Sequence, residues 1–253
     1  MSRLQNVSGR ITRQEAPRAG GSFFDRWLQR PGAGPGAARL ATPPRCRSRP
    51  HAVSAPGAAP AERTVCVYCA SSRIAHPDYR DAARRVGEVL ADAGITIVYG
   101  GGAVGSMGAL ADGALARGGR VVGILPRFMA ELEWGHKGLS DLQLVEDLRT
   151  RKHMMLALSQ AAIALPGGSG TLEELLEAIT LKRLGLYLNP ILLVNTRGFF
   201  QPLLETLARS VEERFMDPRH LLMWQVVETP EAIPAALASA PPWSAAARDF
   251  AAV

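Results

Sequence analysis

The stretch Leu165-Pro-Gly-Gly-Ser-Gly-Thr-Leu-Glu-Glu-Leu175 joins a short apolar run to a segment with helical periodicity. The run Ala161–Leu165 predicts a buried strand, and the spacing of the leucines that follow predicts a helix over Gly170–Leu186. The helix is expected to bury an apolar face formed by Leu172, Leu175, Leu176 and Ile179. Glycines let the main chain approach a ligand, and the unpaired N–H groups of a helix start attract an anion. The turn therefore predicts a phosphate-binding junction at Gly167, Gly168, Gly170 and Thr171.

Strands and helices alternate on both sides of this junction. Further strands are predicted at Val65–Ala70, Ile95–Tyr99, Arg120–Leu125, Leu142–Val145, Pro190–Val194 and Gln225–Val227. Further helices are predicted at Tyr79–Ala93, Ser106–Arg117, Thr150–Gln160, Phe199–Arg214 and Pro230–Leu237, with a long loop or short helix over Pro126–Ser140. Such alternation predicts an α/β fold, a single Rossmann-like doubly wound domain with a parallel sheet covered on both faces. Ligands of these sheets bind beyond the carboxyl ends of the strands.

Composition divides the chain into a tail and a folded part. Residues 1–62 are rich in Arg, Ala, Pro and Gly and are predicted to be disordered, as a transit peptide or as the product of a wrongly assigned start codon. The folded domain is expected over residues 63–240, followed by a C-terminal tail over 241–253.

The net charge of +6 comes from the first part of the chain. Residues 1–63 hold 11 Arg and 3 acids, a charge of +8, which leaves 18 bases and 20 acids, a charge of −2, for the rest. A nucleic-acid-binding face is therefore not expected. No apolar run approaches the ~18 residues that span a bilayer, so we expect no membrane segment and a cytoplasmic protein.

Three cysteines, Cys46, Cys66 and Cys69, are too few for a disulfide framework. Cys66 and Cys69 form a CxxC, but they lie in a predicted strand, where residues three apart point to opposite faces. A redox or metal-binding CxxC is therefore disfavoured, and no metal site is expected.

A second glycine-rich turn, Tyr99-Gly-Gly-Gly-Ala-Val-Gly-Ser-Met-Gly108, also joins a predicted strand to a predicted helix. It is either a tight structural turn or another anion-binding site, with Gly101, Gly102, Gly105 and Met107 as candidate contacts. The segment Val121–Arg127 lacks the acid that would hold the ribose of a dinucleotide, and no Walker Lys-Ser/Thr pair follows the glycines. NAD and P-loop nucleotide binding are therefore disfavoured.

Basic residues open the predicted helix that precedes the buried strand. Arg149, Arg151 and Lys152 lie where the helix dipole disfavours cations, which indicates an anionic ligand or else a solvated basic turn. Glu173 and Glu174 both lie off the predicted apolar face of the next helix, so periodicity does not decide which of them enters a site. Acids in that turn are also ordinary partners of a helix dipole.

Three segments, Gly100–Gly108, Arg151-Lys152 and Pro166–Glu174, resemble the LONELY GUY family of cytokinin riboside 5'-monophosphate phosphoribohydrolases in order and spacing. The resemblance extends over about residues 64–238. It implies a Rossmann-like homodimer or larger homo-oligomer that hydrolyses an N6-substituted adenosine monophosphate to the free base and ribose 5-phosphate, without a metal or organic cofactor. Many members have Met-His before the Arg-Lys step, whereas this chain has Leu148-Arg149, which bears on side-chain preference.

The resemblance also implies roles for individual residues. Arg151 and Glu174 correspond to the catalytic pair of the family. The nucleotide site is expected to include Ser71 and Ser72, Lys152, and the residues of both glycine-rich turns.

Two rival functions and one uncertain loop remain open. A pyridoxal-phosphate decarboxylase needs a Schiff-base lysine, and none of Lys137, Lys152 and Lys182 lies in a recognisable motif. A non-catalytic nucleotide or cofactor carrier on the same fold has no need of the carboxylate.

The loop Phe128–Ser140 is interpreted as a surface loop with a packed Trp134, or as a lid over the base. Leu181, Leu184 and Leu186 lie partly off the core face, which favours a subunit contact.

Overall fold

The computed structural model describes residues 63–132 and 134–251, which form a seven-stranded parallel sheet with helices on both faces. The strands are β1 Thr64–Tyr68, β2 Thr96–Tyr99, β3 Val121–Pro126, β4 Asp141–Val145, β5 Ala162–Ala164, β6 Ile191–Val194 and β7 Gln225–Val227. The α-helices are α1 Pro77–Asp92, α2 Gly105–Ala116, α3 Arg127–Glu131, α4 Leu148–Ala157, α5 Ser169–Arg183, α6 Gln201–Glu212 and α7 Ile233–Ala238. Short 3-10 helices cover Thr196–Gly198, Pro218–Leu222, Pro230–Ala232 and Ala245–Phe250.

The order of the strands creates a ligand crevice in the middle of the sheet. The order is β4-β3-β2-β1-β5-β6-β7, so the chain builds outward from β1 to β4 and then returns to place β5 beside β1. The register aligns Cys66 with Ala162 and Tyr68 with Ala164. Successive loops therefore leave in opposite directions beyond the carboxyl ends of β1 and β5, which is where doubly wound sheets bind ligands.

Two apolar layers cover the sheet. Alternate residues of β1 divide between them, with Val65 and Val67 packing under α1, α2 and α7, and Cys66 and Tyr68 packing under α4, α5 and α6. Cys69 belongs to the first layer and Cys66 to the second, which confirms that the CxxC side chains point apart. Both thiols are free, and burial raises the pKa of each well above its usual range.

Helices α1 and α2 pack with little space between their backbones. A Cβ at Gly87 would lie 2.1 Å from the carbonyl oxygen of Leu110, and a Cβ at Gly113 would lie 2.2 Å from that of Arg84. Only glycine fits at either position without displacing backbone. This contact fixes α2, whose first turn borders the site described below.

The seven predicted strands are all present, and the fold class is confirmed. One burial prediction was wrong: Leu176 is 38% exposed, whereas Glu174 is only 6% exposed and lies on the inner face of α5. The inner face of α5 at this turn meets the Arg151 cation, and the residues that the structure describes leave Leu176 exposed.

The segment that follows residue 240 packs against the end of α5. Trp243 Nε1 donates to the carbonyl of Lys182 at 2.9 Å, and the guanidinium of Arg183 donates to the carbonyl of Ala251. Residues 1–62, which include the predicted disordered tail and Cys46, lie outside the described residues, as do residues 252–253. Within the described ranges, no helix combines the length and the apolar character that crossing a bilayer requires.

Candidate functional site

The glycine-rich turn after β2 is shaped by a buried arginine. A Cβ at Gly100 would lie 1.9 Å from Nη2 of Arg151, so the guanidinium occupies the space that a side chain would need. Gly101 has a φ of +74°, and a Cβ at Gly102 would lie 2.7 Å from Sδ of Met107. The run of three glycines is therefore required by the close approach of other side chains as well as by the turn.

The same turn is joined to the loop after β1. Gly105 has a φ of +63°, and a Cβ there would lie 2.5 Å from the carbonyl oxygen of Ser72. The N–H of Met107 donates to the carbonyl of Ala70 at 3.0 Å. Gly105 and Met107 thus hold the start of α2 against the 70–73 loop, and the main chain of Ser72 is part of that contact.

Arg151 enters the site from the first turn of α4. The carboxylate of Asp147 caps this helix by accepting from the Thr150 N–H at 2.7 Å. Arg151 is 8% exposed, and its Nε donates to the carbonyl of Ile124 at the end of β3 at 3.2 Å. Its Nη1 lies 3.4 Å from Oε1 of Glu174. The guanidinium is therefore fixed at the carboxyl edge of the sheet by two acceptors.

Glu174 is buried, whereas its neighbour Glu173 faces solvent. Removal from water raises the pKa of Glu174, and the Arg151 cation partly opposes the rise. Glu173 instead pairs with Lys152, which also bonds Glu177 at 2.8 Å. The structure therefore separates two glutamates that helical periodicity left equivalent, and it gives only Glu174 a buried cationic partner.

The turn after β5 presents uncapped backbone. A Cβ at Gly167 would lie 2.2 Å from Oγ1 of Thr171, which is buried, so this glycine admits the threonine side chain under the turn. Gly168 caps α5 without any side-chain hydrogen bond, and the spaces beside Gly168 and Gly170 are open. The first N–H groups of α5 are thus available to an anion.

A cavity of about 530 Å³ opens beside Arg151. Its wall has a polar part and an apolar part; the lining residues are Ser71, Arg73, Gly100, Gly102, Ala103, Val104, Met107, Leu125, Met129, Trp134 and Arg151. Of the sequence-predicted site residues, Ser71, Gly100, Gly102, Met107 and Arg151 line it directly. Glu174 adjoins it through its ion pair with Arg151.

Other predicted residues lie apart from this cavity. Gly101 packs behind the turn, where a Cβ would lie 3.3 Å from Leu125. Gly167, Gly168, Gly170 and Thr171 are at the neighbouring turn and do not line the cavity. Lys152 lines a separate cavity of about 860 Å³ along α4 and α5, together with Arg149 and His153.

The loop after α3, interpreted from the sequence either as a surface loop with a packed Trp134 or as a lid over the base, contributes a wall of the cavity. Gly135 forms an antiparallel bridge with Gly102, the Ala103 N–H donates to the carbonyl of Trp134 at 3.0 Å, and the His136 N–H donates to that of Gly101 at 2.9 Å. These bonds fix the Trp134 backbone against the glycine turn, and its ring, 53% exposed, lines the cavity rather than packing into the core. Glu133 lies outside the described residues.

Arg73 and Met129 also line the cavity and were not named from the sequence, although Arg73 directly follows the predicted Ser71-Ser72 step and Met129 lies in the loop Phe128–Ser140. The lysines considered for a Schiff base are elsewhere. Lys182 is buried at the end of α5, donates to the carbonyl of Asn189 at 2.7 Å, and does not line the cavity of Arg151. In the part of the chain that the structure describes, no group of three His, Cys, Asp or Glu side chains is arranged to hold a metal ion.

Comparison with known proteins identifies a family over most of the domain. Residues 107–237 match the family model described as "Possible lysine decarboxylase". A probable cytokinin riboside 5'-monophosphate phosphoribohydrolase of Oryza sativa subsp. japonica is 43% identical over 164 residues, covering 64% of this chain and 67% of the relative. A cytokinin riboside 5'-monophosphate phosphoribohydrolase of Arabidopsis thaliana is 39% identical over 163 residues, which cover 64% of this chain and 76% of the relative. One from Rhodococcoides fascians is 40% identical over 162 residues, which cover 64% of this chain and 82% of the relative.

Solved structures show the same fold at lower identity. A molybdenum cofactor binding protein from Rippkaea orientalis aligns with a TM-score of 0.55 and 21% identity, covering 70% of this chain and 96% of that chain. The molybdenum cofactor carrier protein of Chlamydomonas reinhardtii gives a TM-score of 0.54 and 20% identity over the same shares. These likenesses establish the Rossmann-like architecture and carry no argument about the ligand.

Proposed function

The chain belongs to the LONELY GUY family of cytokinin riboside 5'-monophosphate phosphoribohydrolases, whose model is described as "Possible lysine decarboxylase", and from this we propose that it hydrolyses the N-glycosidic bond of an N6-substituted adenosine 5'-monophosphate. The products are the free base and ribose 5-phosphate. The observation that carries the proposal is the buried pair of Arg151 and Glu174 beside a nucleotide-sized cavity at the switch point of the sheet.

The charge distribution of the site fits the cleavage of a ribosyl C–N bond. As that bond breaks, its electron pair stays with the purine and positive charge develops on the sugar, as in glycoside hydrolysis. The Glu174 carboxylate stabilises that charge and orients the water whose oxygen bonds to C1'. One proton of the water leaves for the carboxylate or solvent, and the purine acquires one. Arg151 stays protonated and offsets the negative charge of the departing base.

The 5'-phosphate is assigned to the start of α5. Gly168 leaves this helix uncapped, and the open space at Gly170 lets an anion reach the backbone N–H groups. Because Gly167 has no side chain, the Thr171 side chain fits under the turn, where it supports the same loop. Because the phosphate does not react, its binding energy positions C1' near Glu174.

The base is assigned to the cavity of about 530 Å³. Leu125, Met129 and Trp134 give part of its wall an apolar character that suits an adenine with an apolar N6 substituent. The glycines of the wall, Gly100 and Gly102, allow a planar ring to approach the backbone. The preference for the N6 substituent is therefore assigned to the wall formed by Leu125, Met129 and Trp134.

We also propose that the protein forms a homodimer through α4 and α5. Large apolar side chains are exposed on and beside these helices: Leu148, Leu158, Leu176, Leu184, Leu186 and Leu188. An apolar surface of this kind is usually covered in a stable protein. The molar mass in solution, measured by light scattering, tests this proposal, and Leu176→Glu is expected to shift the mass toward that of the monomer of 27.1 kDa.

Incubation of the purified protein with nucleotides tests the reaction. Isopentenyl-AMP, AMP and adenosine are supplied separately, and the free base and ribose 5-phosphate are quantified by chromatography. Base release from the monophosphates, fastest from isopentenyl-AMP, is expected. Binding of the nucleotides with no base released from any of them would replace the proposal with a carrier function on the same fold.

A further inference from the structure

Arg73 is a cation of the cavity wall that the proposed reaction has not yet used. It lies in the loop between β1 and α1, is exposed, and lines the cavity together with Ser71. Across residues 63–132 and 134–251 its guanidinium has no hydrogen-bond or ion-pair partner. Some exposed arginines of the domain are paired, for example Arg127 with Glu146 at 2.9 Å and Arg197 with Asp78 at 2.8 Å, whereas Arg80 and Arg84 on α1 are exposed and, among the described residues, unpaired like Arg73. What distinguishes Arg73 from them is its place in the cavity wall.

The charge of the cavity is unbalanced. Among the described residues that line it are two cations, Arg73 and Arg151, and no carboxylate. The positive charge of Arg151 is offset by two acceptors that do not line the cavity, the carboxylate of Glu174 and the carbonyl of Ile124. Arg73 therefore supplies an uncompensated positive charge, and an anionic ligand would find it free of competition from an internal partner.

The loop that carries Arg73 leaves the sheet beside the turn that precedes α5. Since β1 and β5 are hydrogen-bonded neighbours and both run in the same direction, the loops that follow them leave the same edge of the sheet. The base of the first loop is held by the Met107 N–H bond to Ala70 and by the contact of Gly105 with Ser72. Arg73 thus follows the anchored base of a loop that leaves the sheet at the same edge as the uncapped start of α5.

We propose that Arg73 is a specificity-determining residue that binds the 5'-phosphate of the nucleotide from the side opposite to α5. The inference rests on the proposed function and adds to it the group that distinguishes a nucleotide from a nucleoside. A guanidinium forms charge-assisted hydrogen bonds with phosphate oxygens, and these are among the stronger polar contacts in proteins. The helix start supplies N–H donors on one side of the phosphate, and Arg73 supplies the full positive charge on the other.

Steady-state kinetics of Arg73→Ala test the inference. We expect kcat/KM for isopentenyl-AMP to fall about 10- to 100-fold, the range that one charged hydrogen bond represents, while kcat/KM for the corresponding nucleoside is unchanged. Arg73→Lys should retain part of the preference because it keeps the charge. Arg80→Ala is the matched control, since Arg80 is exposed on α1 and does not line the cavity.

Two results would overturn the inference: an equal loss on nucleotide and nucleoside, which would mean a structural role, or no loss on the nucleotide. Calorimetric binding of ribose 5-phosphate to the Glu174→Gln protein, with and without Arg73→Ala, supplies a readout independent of turnover. Weaker binding without Arg73 is expected, and unchanged binding would contradict the role. If the wild-type protein released no base yet Arg73→Ala weakened binding of ribose 5-phosphate, the proposed reaction would fail while the phosphate contact stood.

Discussion

The Nη1 atom of Arg151 lies 3.4 Å from Oε1 of Glu174, and both side chains are almost completely removed from solvent. A buried pair of this kind adds little net stability, because desolvation of the two groups offsets their attraction. Its presence at the edge of a cavity therefore favours a role in chemistry over a role in folding. The pair also places the carboxylate and the cation on the same side of the substrate site.

Glu174→Gln is expected to lower kcat by about 100-fold or more, because the amide cannot stabilise positive charge on the ribose. Nucleotide binding, measured by calorimetry, should be largely retained. Glu173→Gln is the matched control: Glu173 is exposed and pairs with Lys152, so its kcat should stay within about twofold of wild type. An equal loss of turnover in both variants would contradict the assignment.

The pH dependence of kcat/KM should report the environment of Glu174. Burial raises its pKa above the ordinary value of 4.5, and the reaction requires the ionised form, so activity should fall as the pH decreases through that raised pKa. The acid limb should therefore lie above pH 4.5. Arg151→Gln removes the cation that lowers the pKa, so the acid limb of its residual activity should move to still higher pH. A limb at or below pH 4.5 in the wild type would contradict this environment.

Gly100→Ala should damage catalysis more than stability. The new methyl group would occupy the position of the Arg151 guanidinium, which can swing away at the expense of its bonds to Ile124 and Glu174. We expect kcat to fall at least about 10-fold, with the melting temperature lowered by only a few degrees. A double-mutant cycle provides the control, since Gly100→Ala should cost little more activity once Arg151 is alanine. Additive losses would show that the glycine acts by another route.

Lys182→Met should alter stability in a pH-dependent way. Burial lowers the pKa of Lys182 from 10.5 to about 8, so its charged form destabilises the native state. This cost is fully present below pH 8 and disappears as the pH rises toward 10.5; it amounts to at most about 3 kcal/mol. Loss of the bond to Asn189 offsets about 1 kcal/mol.

The variant should therefore be about 1–2 kcal/mol more stable than wild type at pH 7, and the difference should shrink or reverse by pH 10. Urea unfolding at both pH values measures it. The exposed Lys137, changed to Met, should show no such trend. A gain that is constant with pH would rule out the titration of Lys182 as its cause.

The architecture was accessible from the sequence because it depends on local signals. Apolar runs and glycine-rich turns marked each strand end, and β1 and β5 then had to meet in a parallel sheet. Periodicity could not choose between Glu173 and Glu174, because it describes one helix and burial of Glu174 depends on Arg151 from another; only the family resemblance pointed to Glu174. The predicted burial of Leu176 was wrong for the same reason, since periodicity within α5 does not show which of its faces other elements cover. Trp134 and Arg73 reach the cavity through loop contacts, such as the bridge between Gly102 and Gly135, that leave no periodic pattern.

The hydrogen bonds of Trp243 with Lys182 and of Arg183 with Ala251 join the C-terminal segment to the end of α5, and this determines how far the functional domain extends. Helix α5 bears Glu174, the carboxylate proposed to act in the reaction, near its beginning, and its other end is bonded to backbone as far along the chain as Ala251. Truncation after residue 240 would keep every residue of the proposed site. It would, however, remove the contacts that hold the far end of α5, the helix that carries Glu174. The sequence motif around Glu174 does not reveal that its position depends on residues 241–251, because these residues support the helix without touching the proposed site.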